Sequence, residues 1–158
     1  TSTSIGFVLS PRINAAGRMS SPGQAARLLL TSQPEVAETL AEEIQQCNVL
    51  RQTTEGGILK EVMERLQREP RLLADRVLVI EGEGWHPGVV GIIAARVLER
   101  YGKPCILISV RDGEAKGSGR SVKGFSLFNA ISACADILTH FGGHELAAGV
   151  GLGSGGIR

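Results

Sequence analysis

The sequence predicts an α/β fold: a small mixed sheet flanked by helices and preceded by a long connecting helix. Three observations predict it. Two apolar runs, residues 76–80 and 105–110, have the near-continuous hydrophobicity of strands covered on both faces, and a helical pattern lies between them. A longer series (Val36, Leu40, Ile44, Cys47, Leu50, Thr54, Ile58, Val62 and Leu66) recurs every three or four residues, as one face of a helix does. The chain's 158 residues, 42% of them hydrophobic, suffice for one compact domain or two small ones. Folding at this length buries about 70% of the unfolded chain's surface, so neither disulfide nor metal is needed to hold it.

Taken in order, residues 5–9 are a short apolar run, followed by a segment punctuated by Pro11 and Gly17. Ser21 before Pro22 is an N-cap with proline at the first helical position, which predicts a helix to about Thr31. Ser32 and Glu35 then form a capping box around Pro34 and open the long helix, which Pro70 ends. Residues 34–68 would span roughly 50 Å if continuous, long enough to connect two bodies. Two shorter helices broken at Gly56-Gly57 fit the same pattern. Beyond Pro70 come the strand 76–80, a glycine-rich turn over 82–88 and a helix over 89–101 stopped by Gly102 and Pro104. The strand 105–110, an Asp112-Gly113 hairpin turn and a third strand over 115–121 follow. An amphipathic helix over 127–138, capped by Ser126, leads into a glycine-rich close. The unit strand–helix–strand implies a right-handed crossover.

The net charge of +1 hides an uneven distribution: residues 1–34 carry +3, residues 35–84 carry −5 and residues 85–158 carry +3. Two basic, glycine-rich ends around an acidic middle suit an anionic ligand held between the ends, or simply an acidic solvated helix. Aromatics make up only 4% of the chain, which argues against a sheet-wide base-stacking platform. Cys47, Cys105 and Cys134 are widely spaced, odd in number and free of any CxxC pair. With no leader and no long apolar run, the expectation is a soluble, cytoplasmic protein without a membrane partner.

Four segments carry candidate chemistry. In residues 117–121, Ser118 and Ser121 offer hydroxyls, Gly119 lets backbone approach a ligand, and Arg120 offers a bidentate fork. These parts match a phosphate, although a glycine-kinked edge strand with Arg120 in solvent fits equally. In residues 84–88, Trp85 can stack on a base or plug the core, with the core favoured, and His86 can touch a phosphate or cap the helix. Gly142 and Gly143 form a candidate backbone nest for an anion, beside His144. The glycine pair argues against reading His140 and His144 as helical metal ligands. Asn14 and Arg18 frame small residues that imply either close helix packing or a wall open to substrate. The aspartates Asp75, Asp112 and Asp136 are scattered and none adjoins a histidine, so two-metal phosphodiester hydrolysis lacks its ligands.

These motifs, residues 11–18, 84–92, 117–121 and 142–149, occur in an order that resembles the bacterial RecJ family, single-strand-specific DNA exonucleases of the DHH phosphoesterase superfamily. The resemblance covers about residues 5–152. It implies that residues 1–33 are the tail end of a DHH catalytic domain, 34–69 a connecting helix, 71–152 a DHH-associated substrate-binding domain and 153–158 a flexible tail. It implies further that a DHH domain outside this chain holds Mn²⁺ or Mg²⁺ and releases nucleotides 5′→3′ from single-stranded DNA. Ser118, Arg120, Ser121 and His144 would then contact phosphate or the terminal nucleotide, while Asn14 and Arg18 line the groove beside the metals. Because the metal-ligand motifs are missing, the chain reads as an excised fragment that binds no metal and is inactive by itself. Two alternatives stand beside this: a phosphodiesterase fragment for oligonucleotides or cyclic dinucleotides, and a non-catalytic nucleic-acid-binding or oligomerisation module.

Overall fold

The computed structural model describes residues 1–153. It divides into two compact units, one over Thr1–Gly56 and a second from Gly57 onward. The flexible tail expected over 153–158 lies, beyond Gly153, outside the described residues.

The first unit is helical. A short α1 (Ser2–Ser4) runs through a π-type turn at Ile5–Leu9 into α2 (Ser10–Met19), so the Pro- and Gly-punctuated segment is helical. Pro11, which has no N–H to give to the preceding turn, sits directly after the π-type segment, at the second position of α2. α3 (Pro22–Leu30) starts as the sequence predicts, with Ser21 Oγ accepting from Gly23 N. Ala16, Ala25 and Ile44 pack together, so the small residues of α2 serve close helix packing. α4 (Pro34–Arg68) is one helix of 35 residues passing through Gly56-Gly57, where the two units divide. It begins one residue later than the Ser32–Glu35 box requires, and the N–H of Gln33 is taken by Thr31 Oγ1 instead.

The second unit is a five-stranded mixed sheet in the order β1-β2-β3-β5-β4. β1 (Leu78–Glu83) and β2 (Cys105–Arg111) are parallel, joined by α5 (Pro87–Tyr101). β1 starts two residues later than the apolar run does, and it is an edge strand: Leu78 and Ile80 are buried but Val79 is 48% exposed, so the run expected to be covered on both faces is covered on one. Gly102 ends α5 in the left-handed conformation at φ 65°, which only glycine adopts without cost. The Asp112-Gly113 turn, with φ of 53° and 79°, joins β2 to an antiparallel β3 (Glu114–Arg120).

The predicted helix over 127–138 is half that length. α6 (Leu127–Ser132) stops, a 3-10 turn (Ala135–Ile137) follows, and Thr139 N reaches Gly151 O to join the sheet. Packing of Leu138 against the core beneath the sheet outweighs the helical periodicity. The glycine-rich close then supplies two strands that its composition does not announce, β4 (His140–His144) and β5 (Ala147–Leu152). α5 lies on one face of β2 and β3, and α6 on the other against Ile108, Ala115, Ala148 and Val150.

Candidate functional site

In an antiparallel ladder, directly paired residues point to the same face, and neighbours along a strand alternate. Arg120 pairs with Ala147, which pairs with His144. Ser118 pairs with Gly149, which pairs with Gly142. These two adjacent rows cross β3, β5 and β4 on the α5 side of the sheet, since Gly91 of α5 abuts both Ser118 and Arg120. Gly142, Gly149 and His144 are exposed there, while Ser118 and Arg120 are half-buried. The result is a floor of glycine and alanine, bordered by a guanidinium and a hydroxyl on one side and an imidazole on the other.

The polar groups of the rim are held in place. Arg120 Nη1 donates to Ser118 Oγ at 3.1 Å and to its neighbour's carbonyl, Gly119 O, at 2.7 Å. His144 Nδ1 accepts from Leu146 N at 3.3 Å, which leaves the proton of a neutral ring on Nε2 as a donor. The hairpin bearing His144 is pinned by Ser121 N to Leu146 O, by Leu127 N to Glu145 O and by Gly124 N to Glu145 Oε1. A guanidinium, a hydroxyl and an imidazole N–H around an open floor are donors suited to phosphate oxygens.

The same alternation sends other predicted residues inward. Gly119 is buried on the α6 side, where a Cβ would lie 2.6 Å from Leu127 Cδ2. Ser121 is buried, and its hydroxyl donates to Phe125 O at 2.8 Å, closing the 121–125 turn instead of facing a ligand. Gly142 and Gly143 form strand rather than a nest, and Gly143 (φ 146°) lets β4 approach β5, since a Cβ would meet Ala147 O at 2.3 Å.

Trp85 presents no stacking face. It is 3% exposed, its ring lies over Gly82 of β1, and its Nε1 donates to Glu61 Oε2 of α4 at 2.9 Å. Its carbonyl accepts from Ser109 Oγ. His86 caps α5, its Nδ1 accepting from Gly88 N at 3.1 Å. Beside it, Pro87, Ser109, Lys116 and the charged hairpin line a cavity of about 280 Å³. In that hairpin Lys116 pairs with Glu114 at 3.2 Å and Arg111 with Asp112 at 3.4 Å, so opposite charges neutralise its lip. Asn14 and Arg18 belong to the first unit, four residues apart on the exposed side of α2, opposite the buried Ala15 and Ala16.

Two pKa shifts are structural. Burial pushes the Cys105 thiol up to about 12, which keeps it neutral and unreactive. The hydrogen bonds from Arg65 to Glu81 raise the guanidinium's pKa against the opposing effect of burial, tying α4 to β1. Three residues of the site, Ala147, Gly149 and Gly91, are missing from the sequence-based candidates. Gly149 and Gly91 are glycines in the interior of a strand and of a helix, a placement that itself signals close approach.

Comparison with known proteins returns one family model, described as the DHHA1 domain, over residues 73–155. The chain is 42% identical over 150 residues to the single-stranded-DNA-specific exonuclease RecJ of Bacillus subtilis, covering 94% of this chain and 19% of that protein. It also matches crystal structures of RecJ from Thermus thermophilus solved with Mn²⁺ (TM-score 0.82, 35% identity, 96% of this chain and 22% of that one) and with Mg²⁺ (TM-score 0.78, 34% identity, 96% and 23%). The chain thus spans about a fifth of the length of these relatives.

Proposed function

The chain belongs to the DHHA1 domain family, and from that premise we propose that it is the substrate-gripping part of a longer RecJ-type exonuclease acting 5′→3′ on single-stranded DNA. The observation that carries this reading is the pair of rows across β3, β5 and β4. They place Ser118, Arg120 and His144 around an open floor of Gly142, Gly149 and Ala147. A glycine floor lets the sugar-phosphate backbone lie close to the sheet, and the rim donors take its phosphate oxygens.

In this reading residues 1–33 close the DHH catalytic domain, 34–69 connect, and 71–152 hold the strand. Asn14 and Arg18 add contacts from the catalytic side. Among the described residues, no three His, Cys, Asp or Glu side chains gather as metal ligands. The reading assigns Mn²⁺ or Mg²⁺ to the remainder of the longer protein, and binding and positioning to this chain. Among the described residues no helix is long and apolar enough to cross a membrane. The longer protein's place, in this proposal, is the cytoplasm, in DNA repair and recombination.

The test is fluorescence anisotropy of a labelled oligothymidylate against the chain at several salt concentrations. Arg120→Ala is expected to weaken binding about tenfold, as loss of one charge-assisted hydrogen bond does. The slope of log K against log salt should fall by about 0.7, the share of one single-strand phosphate contact. Unchanged affinity and slope in a folded Arg120→Ala chain would falsify the reading. Equal affinity for a dinucleotide and a longer strand would move the substrate to short oligonucleotides.

A further inference from the structure

We infer that Gly91 is a positioning residue: the absence of a side chain at this point of α5 sets the conformation in which Arg120 is presented, an inference that rests on the phosphate-gripping role of Arg120. Gly91 is buried in the interior of a 15-residue helix. Glycine is among the poorest helix formers, and its backbone angle here is one that any residue adopts. Neither the helix nor the turn chemistry calls for it.

What calls for it is the sheet beneath. A Cβ at position 91 would lie 2.7 Å from Ser118 Oγ, 2.9 Å from Arg120 Nη2 and 3.4 Å from Ser118 Cβ. All three atoms belong to the two residues that form the β3 side of the rim. The guanidinium is folded back along its own strand, with Nη1 on Ser118 Oγ and Gly119 O, and Nη2 occupies the space that an alanine methyl would take. A methyl at position 91 requires Ser118 Oγ and Arg120 Nη2 to shift, and with them the hydrogen bond that joins Nη1 to Ser118 Oγ. The charge would survive, but its fixed orientation would not.

The experiment compares Gly91→Ala in the wild-type chain and in an Arg120→Lys chain, which keeps the charge and lacks Nη2. Oligothymidylate affinity should fall about two- to tenfold in the first background, the cost of holding a long side chain off its rotamer, and by less than about twofold in the second. Equal losses in both backgrounds overturn the inference. A purely structural role would shift the melting temperature alone, whereas the positioning role also moves the Arg120 Nε–H resonance in ¹⁵N-resolved spectra without any DNA. An unmoved resonance overturns the inference whatever the binding result. If the wild-type chain does not bind oligothymidylate, the gripping role fails, and the resonance still decides the contact. Should Gly91→Ala fail to fold, recovery on adding Ser118→Ala and Arg120→Lys supports the contact, and no recovery overturns it.

Discussion

Gly82→Ala is expected to be among the most disruptive single-methyl additions in this protein. A Cβ there would lie 1.9, 2.3 and 2.4 Å from three atoms of the Trp85 ring, where ordinary contact begins at 3.4 Å. The ring cannot simply swing away. It is 3% exposed, its N–H is committed to Glu61 at 2.9 Å, and Ser109 holds its carbonyl. Overpacking costs about 1–3 kcal/mol, and losing the charge-assisted bond to Glu61 adds about 1.5–3 kcal/mol, so roughly 3–5 kcal/mol is expected. That is a large part of the 5–15 kcal/mol typical of a whole domain. Urea unfolding followed by far-ultraviolet circular dichroism measures it. Trp85→Ala alone should cost about 3–5 kcal/mol, and adding Gly82→Ala to it should cost almost nothing more, because the atom it collides with is gone. Since Trp85 is the sole tryptophan, its fluorescence in the Gly82→Ala chain reports the ring's displacement directly. A cost under about 0.5 kcal/mol, or additive costs in the double variant, would refute the packing argument.

Three further outcomes are expected. Gly142→Ala meets no atom within 4 Å, so it should leave stability unchanged or raise it by about 0.5–1 kcal/mol while weakening oligothymidylate binding; a variant that binds normally would remove the floor from the site. His144→Ala should weaken binding about fivefold through loss of the Nε2 donor, read in the same titration, with no change in melting temperature beyond that of an exposed residue. Cys105, neutral up to about pH 12 when folded, ionises near pH 9 in the unfolded chain, so its contribution is intact below pH 9 and lost between 9 and 12. Its share is roughly 1.4 kcal/mol per pH unit in that window, and an unchanged alkaline slope in Cys105→Ala would refute it.

The parts of the fold legible in the sequence are those whose burial is done by side chains. β2 is covered on both faces, whereas β1, at the sheet edge, buries Leu78 and Ile80 and leaves Val79 exposed; both nevertheless read as apolar runs, and α5 and α4 carry clear periodicity. β4 and β5 carry only Phe141, Val150 and Leu152 as large apolar residues among glycine, alanine and histidine, and those three pack on the α6 side, too sparse a pattern to announce two strands. α6 is half its apparent length because the chain must return from Ser132 to pair Thr139 with Gly151. The candidate site was legible as a set of residue types and illegible as a surface. That Ser118 and Arg120 share a face follows from β3 being a strand, but the floor and the imidazole beside them depend on β3 having β5 as its neighbour, and that pairing joins segments about thirty residues apart.

The glycines separate into two kinds once a Cβ is placed at each. At Gly82, Gly91, Gly117, Gly119, Gly143 and Gly151 the added atom would collide with the protein itself, so the fold accounts for the residue. At Gly142 it would meet nothing, and at Gly149 only Gly117 O at 3.8 Å, with no positive φ to require glycine at either. Strand interiors lose stability with glycine, so neither packing nor turn geometry accounts for two of them facing each other in one row. The row that contains them ends at Ser118, and the next row joins Arg120 to His144. Bare floor and donor rim thus fall on the same side of the same three strands, which is the arrangement a closely seated phosphate backbone requires.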